Sequence, residues 1–351
     1  MDKQKIAAFG GRVFDDVAGL MTIAMAYLGV KAGLFNAMSG KGALGAEEVI
    51  QATGLQRRYV EEWLAGMAAT GYLEHDSAAN TYTLSDENAF LLASEGTDHY
   101  VGGIFYQAVA NMAVAENVAE SFRTGAGVPF SHYGEENLVG LDLANRGIYE
   151  QRFASYWLGK LPETTARLES GGRALDVGCG AGRVTLALAR AFPAAHCVGV
   201  DLDSDSVAMA RKAAGAESLD GRAVFHDHGV EDLPPGETFD LITACDAVHD
   251  FATPVETLTA IRERLAPEGV FFLVEPNIHD DPRDNRNPVA VMFYGFSLLH
   301  CMSQSLANGG PALGACMGPA RTEALMNKAG FSRFEELPIK SPVNRFYAVR
   351  V

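Results

Sequence analysis

The chain is short of positive charge. Its 351 residues include 28 Lys and Arg against 44 Asp and Glu, a net charge of −16. Nucleic-acid and anionic-membrane footprints need clustered cations, so neither partner is expected. Cysteine is sparse as well: Cys179, Cys197, Cys245, Cys301 and Cys316 make an odd five with no C-x-x-C pair. That excludes a disulfide framework and reads as the reduced thiols of a cytoplasmic protein, and no metal is expected. No uninterrupted apolar run approaches ~18 residues, so no membrane span is expected. The first residues, "MDKQKIAAFGG", lack the apolar core of a signal peptide. No internal repeat or low-complexity stretch is present.

What remains is an ordinary core-forming composition. Apolar residues are 48% of the chain, enough for a full hydrophobic interior, and the length suggests about two domains. Residues 1–96 read as helices followed by a hairpin. A short helix over 47–52 ends at Gly54, and a second over 57–70 places Val60, Trp63, Leu64 and Met67 on one face. "YLEH" and "TYTLS" then flank a turn. Helix–turn–helix plus hairpin is a winged helix. Residues 97–165 read as a helical linker around a glycine-rich stretch, "RTGAGVPFSHYGEEN". Residues 166–351 alternate strand and helix, with strands expected at 174–177, 197–201, 223–226, 241–245, 270–275 and 346–349. Such alternation makes an α/β, doubly wound, mostly parallel sheet of Rossmann-like kind.

"ALDVGCGAGRVTLALA" is a strand, a glycine turn and a helix. Gly178, Gly180 and Gly182 are spaced G-x-G-x-G, not the G-x-G-x-x-G of a dinucleotide fold, and no Lys-Ser/Thr follows as in a P-loop. Asp176 precedes the turn, where it would repel a phosphate and welcome an amino group. Asp201 closes the next strand, where a carboxylate can accept both hydroxyls of a ribose. Two acids around a glycine turn suit a cationic nucleoside without phosphates, and S-adenosylmethionine fits.

Over residues 172–280 the chain resembles the class I S-adenosylmethionine-dependent methyltransferases, through "LDVGCGAG" and "VGVDLDSDSVAMARKAA". The resemblance implies a seven-stranded sheet. It also implies cofactor contacts from Asp176, Gly178, Cys179, Gly180, Asp201, Leu202, Gly229, Val230 and Cys245, with Gly229 and Val230 lining the adenine through backbone groups. The aspartate usual in that loop is missing or displaced to Asp227. The His249-Asp250 pair after "LITACDAV" resembles the small-molecule O-methyltransferases that carry an N-terminal winged-helix dimerisation domain. In them the histidine is the general base and the acid at Glu275 orients it. An imidazole can take a hydroxyl proton near neutrality. The second acid of the plant-type enzymes is absent here, its place held by Cys316 or Met317, so catechol-type chemistry is not expected. A wider resemblance, through the "VEPN" to "LG" run, is to a bacterial group joining these same two domains.

A long insertion after Glu275 carries an apolar, aromatic helix over 289–306 that suits a lid, with Tyr294 and His300 as polar tips. Tyr106, Tyr133, Arg146, Tyr149 and Arg152 are the other candidates for the acceptor pocket, Arg146 or Arg152 as a bidentate clamp for a carboxylate. The expected activity is methyl transfer to a small-molecule hydroxyl, by a homodimer. Two alternatives stay open: S-methylation of a thioether, which needs no base, and a winged-helix DNA-binding regulator. The second is opposed by a net charge of −5 over residues 1–96, from seven Lys and Arg and twelve Asp and Glu.

Overall fold

The computed structural model describes residues 1–351. It divides into two units, one of residues 1–110 and 139–147, the other of residues 111–138 and 148–351. The helical stretch 97–165 is therefore shared between both units.

The first unit begins with a 29-residue helix, Lys3–Lys31. Helices Ala46–Thr53 and Arg57–Ala69 follow, then a small sheet of β1 (Ala43–Leu44), β2 (Glu74–Asp76) and β3 (Thr81–Thr83) in the order β1-β3-β2. This is the winged helix. Val60, Trp63, Leu64 and Met67, at helical spacing on Arg57–Ala69, are its buried face. Trp63 packs edge-on against Phe35, and its indole N–H donates to the Met25 carbonyl at 2.9 Å. That bond satisfies the one polar atom of an otherwise apolar side chain.

The expectation of no membrane-length segment rested on uninterrupted apolar runs. Helices Lys3–Lys31 and Pro288–Ala307 do reach the length and mean hydropathy of a span, because small and weakly polar residues break the runs without lowering the average. Length and composition alone do not distinguish a span from other apolar helices: the first carries Arg12, Asp15 and Asp16 within it, and the second turns buried Ser297, His300 and Cys301 inward.

The second unit is built on a seven-stranded sheet: β4 (Arg173–Val177), β5 (His196–Val200), β6 (Ala223–His226), β7 (Phe239–Cys245), β8 (Leu265–Pro276), β9 (Arg333–Glu336) and β10 (Asn344–Arg350). The order is β6-β5-β4-β7-β8-β10-β9, parallel from β6 to β8 and antiparallel at β10 and β9. Strands buried on both sides read as apolar runs, and alternate residues serve opposite faces. Ala174, Phe272, Val274, Phe346 and Ala348 belong to one core. Leu175, Val177, Phe271, Leu273, Tyr347 and Val349 belong to the other. Helix Arg183–Ala191 covers the first face and helices Pro254–Glu263 and Pro319–Lys328 the second.

One strand was not among those expected. The edge of the sheet is β9, unforeseen because its short sequence "RFEE" is mostly exposed and charged, as edge strands tend to be. β10 lies inside, between β8 and β9.

Two helical segments of this unit are π-wound: Tyr149–Trp157 and Ser297–Cys301. Such turns are rare and insert an extra residue, re-aiming the side chains around them.

Candidate active site at the carboxyl ends of the strands

The strand order reverses at β4, with β5 on one side and β7 on the other, and ligands of open α/β sheets bind beyond such a point. The glycine turn sits there. Gly178, Gly180 and Gly182 all have positive φ, of 71°, 51° and 78°. A Cβ on Gly182 would lie 2.7 Å from Phe225 and 2.8 Å from Ala210, so only glycine lets the following helix seat this closely. A Cβ on Gly178 would meet Ala247 at 2.8 Å, whereas one on Gly180 would meet nothing within 4 Å. The turn is therefore packed beneath and open above.

Asp201 clamps the turn. Its Oδ2 accepts from the Gly180 N–H at 2.8 Å, and its Oδ1 from the Asp203 N–H at 2.9 Å. A carboxylate has about four acceptor positions, so capacity remains on both oxygens for a diol. Beside it the Leu202 side chain is 80% exposed, an apolar surface that a flat heterocycle can cover. Asp176 is buried, and its oxygens accept from Thr185 Oγ1 at 2.9 Å and Thr243 Oγ1 at 2.7 Å. Burial pushes its carboxyl up to about 6, against the pull of the two threonine hydroxyls. No cation offsets it in the structure. A ligand that brings a positive charge near this carboxyl relieves the penalty of burying it. These features fit S-adenosylmethionine, which would be held by the turn, by Asp201 and Leu202, and by the field of Asp176.

The other expected cofactor residues fall in two groups. Gly229 lies in the loop after β6, and Cys245 at the end of β7. Cys179 and Val230 turn their side chains into the interior, at 8% and 1% exposure, and the Cys179 N–H donates to the Val200 carbonyl at 3.1 Å. Asp227, the displaced candidate for adenine, pairs instead with Arg211 at 3.0 Å.

The expected acceptor side is centred on His249, in a tight turn just past β7. The β7–β8 register pairs Cys245 with Val274, which brings the turn alongside Glu275. His249 Nδ1 lies 2.6 Å from Glu275 Oε2, and both side chains are 4% exposed. Burial disfavours the positive ring, but Glu275 and then Asp250 outweigh it, and the imidazole is held well above its ordinary value. Its Nε2 is 3.7 Å from Asp250 Oδ1. Glu275 Oε1 and Asp250 Oδ1 are buried without hydrogen-bond partners.

Among the expected pocket residues, His300 is 8% exposed and stacks edge-on with Tyr133 at 4.5 Å. Its Nδ1 has no partner, and burial lowers its proton affinity. Tyr133 donates to the Leu299 carbonyl at 2.5 Å. Tyr149 donates to Asp246 Oδ2 at 3.1 Å. Tyr294 accepts from Asn285 at 3.2 Å and is half-exposed, and Arg152 is exposed on the π-wound segment. Tyr106 and Arg146 belong to the first unit. Tyr106 packs on Tyr27 there, and Arg146 is paired with Asp142 and, at 2.8 Å, with Glu95. Its guanidinium is thus already satisfied by two carboxylates and is not a vacant clamp.

Sequence reasoning missed two neighbours of this centre, Cys301 and Asn344. Cys301 lies beside His249 and Asp250, its Sγ within 4.8 Å of an atom of each. Asn344, on β10, donates to Asp246 Oδ1 at 2.8 Å. Asp246 itself is a non-glycine residue at φ 51°, partly buried, and its carboxyl is pushed up to about 6, first by desolvation and then by Glu275. The adjacency of Cys301 to His300 in the lid helix was a signal for the first. No local signal existed for Asn344, whose place follows from antiparallel register. A separate cavity of about 460 Å³, lined by Arg167, Ser170 and Asp240 among others, lies at the opposite, amino ends of the strands.

Comparison with known proteins agrees with this geometry. Residues 168–308 match a family model described as a methyltransferase domain, and residues 19–94 match an Rv2258c-like winged HTH domain. The chain carries a class I S-adenosylmethionine-dependent methyltransferase domain behind a winged-helix domain. An uncharacterized methyltransferase of Bacillus subtilis is 31% identical over 119 residues, 34% of this chain and 46% of that protein. A fatty-acid O-methyltransferase of Mycolicibacterium smegmatis is 30% identical over 155 residues, 42% of this chain and 53% of that one. The chain thus spans about half the length of the curated relatives it matches. Among solved structures, human N-acetylserotonin methyltransferase in complex with SAM superposes with a TM-score of 0.68 at 18% identity, over 100% of this chain and 98% of that one. At that identity the likeness is one of fold.

Proposed function

We propose that the protein transfers a methyl group from S-adenosylmethionine to a hydroxyl of a small-molecule acceptor, with His249 as general base. The observation that carries this reading is the buried 2.6 Å bond between His249 Nδ1 and Glu275. It fixes the ring and leaves Nε2 as the proton-accepting atom. The sulfonium supplies an electrophilic methyl carbon and a neutral thioether leaving group. The acceptor oxygen forms the new C–O bond as the C–S bond breaks, and its proton passes to Nε2. Glu275 and Asp250 raise the proton affinity of His249 and favour its protonated ring in the ligand-free protein. A second positive charge bound nearby opposes that and favours the neutral ring that can act as base.

S-methylation of a thioether needs no base and gives no reason for a buried acid to hold a histidine. Incubation with labelled S-adenosylmethionine and a metabolite panel tests the choice. Labelled ethers or esters that His249→Ala no longer forms support hydroxyl transfer. Labelled sulfonium products that His249→Ala still forms refute it.

The DNA-binding reading is weaker still. On helix Arg57–Ala69, Arg57 pairs with Glu47 and Glu61, and Arg58 pairs with Glu62. The cations that would meet phosphates are neutralised within the domain.

We further propose that the partner is a second copy of the chain, engaged through the first helix. Phe9 and Phe14 are 68% and 79% exposed there, with Ile6, Val13 and Val17 beside them. A contiguous apolar stripe of this kind marks an interface. Sedimentation should show a dimer that Phe14→Asp converts to monomer, and a monomeric wild type would exclude it.

A further inference from the structure

Three side chains of different chemistry meet at the free edge of the His249 ring. His249 Nε2 or Nδ1, an oxygen of Asp250 and Sγ of Cys301 lie within 4.8 Å of one another. His249 and Cys301 are buried and Asp250 partly so. Zinc held at about 2.0–2.3 Å by four ligands keeps its donors roughly 3.3–3.8 Å apart, so these need to close by about 1 Å.

Independent features point to a cation here. Asp250 Oδ1 is buried and has no hydrogen-bond partner. His249 donates its other ring nitrogen to Glu275, at 2.6 Å. A carboxylate behind a ligating imidazole is the arrangement metal sites use to fix the ring and raise its basicity. The charge also balances: a neutral imidazole, a carboxylate and a thiolate together offset a divalent ion. Cys301 enters the cluster from the π-wound turn Ser297–Cys301, where the extra residue re-aims it.

We propose that His249, Asp250 and Cys301 form a binding site for a zinc-class divalent ion, with a fourth position open to water. Binding draws on those three donors and does not depend on methyl transfer. Its consequence rests on the reading of His249 as base: an ion on Nε2 occupies the lone pair that would accept the acceptor's proton. The metal is then a reversible inhibitor. On binding, the Cys301 thiol and the protonated His249 Nε2 each release a proton to solvent as the Sγ–metal and Nε2–metal bonds form.

Cobalt reports the site without any assay of turnover. The full chain, stripped with a chelator, is titrated with Co²⁺. One equivalent should give a near-ultraviolet thiolate-to-cobalt band and a tetrahedral visible spectrum, both bleached by Zn²⁺. Cys301→Ser should lose the thiolate band, while Cys316→Ser keeps it. Glu275→Gln should weaken cobalt binding about 10- to 100-fold. A melting curve verifies that each variant is folded, and Asp250→Asn replaces Cys301→Ser should that one not fold, with the visible spectrum lost. Absence of the band in the wild type, or its survival in Cys301→Ser, overturns the site. Where an acceptor is in hand, Zn²⁺ at one equivalent should stop transfer and a chelator restore it. Full turnover by the cobalt-saturated enzyme overturns the inhibitory role while leaving the site standing.

Discussion

The two sides of the ligand crevice are built in opposite ways. The cofactor side comes from neighbouring stretches of chain: Asp176, the three glycines, then Asp201 and Leu202 just past the adjacent strand. The acceptor side is assembled from distant segments: His249, Glu275, His300 and Cys301, and Asn344. The first is a local backbone conformation with one carboxylate clamping one N–H. The second is a set of side-chain partners brought together by the pairing of β7, β8 and β10 in one register and by the π-wound turn Ser297–Cys301. Local geometry can be read from spacing, whereas register-dependent geometry is invisible until the sheet is formed.

The contrast can be broken most sharply on the acceptor side. His249→Ala should lower kcat roughly 10²- to 10⁴-fold, with little change in cofactor affinity. Calorimetry with S-adenosylhomocysteine, which reads only the cofactor side, separates the two. A His249→Ala protein that loses cofactor binding would show that the sides are not independent.

Asp201→Ala is the converse. It removes a carboxylate that accepts the Gly180 N–H and the capacity for a ribose diol. At about 1.5–3 kcal/mol for a hydrogen bond to a charged group, cofactor affinity should fall roughly 10- to 150-fold. An unchanged dissociation constant would argue that Asp201 only shapes the turn.

Glu275→Gln should have a smaller effect. The amide still reaches Nδ1 but no longer offers a charge to the imidazolium, so kcat should fall about tenfold with affinity for cofactor unchanged. Equal activity would demote Glu275 to a packing role.

Legibility followed the same divide. G-x-G-x-G needs positive φ at each glycine, and that requirement is written in the residues themselves. The alternation of strand and helix, the winged helix and the face of Arg57–Ala69 were legible because their periods are local. The His249–Glu275 contact was foreseen by resemblance, not by spacing. The partners of Arg146, Asp142 and Glu95, were not legible because they depend on how its own unit packs. Strand β9 was missed because a charged four-residue edge strand carries no periodic signal. Cys301 and Asn344 were missed because a π-turn and an antiparallel register place them.

The smallest effect is the most informative about Asp176. Burial raises its carboxyl to about 6, from an ordinary 3.8. Because the folded value lies above the unfolded one, the folded state binds this proton more tightly. The resulting stability is fully present below about pH 4 and is lost as pH rises through about 6, a difference on the order of 3 kcal/mol. Cofactor affinity should run the other way. The ligand's ammonium prefers the ionised carboxyl, so S-adenosylhomocysteine should bind several-fold tighter at pH 7 than at pH 5. Asp176→Asn has no such proton. Its melting temperature relative to wild type should rise between pH 4 and 6 and then level, and its affinity should lose this pH dependence. The threonine hydroxyls can rotate to accept from the new amide, so the variant should remain folded. An affinity that climbs with pH equally in wild type and Asp176→Asn would place the titrating group elsewhere. It would also remove Asp176 from the account of how a cation is held beside the glycine turn.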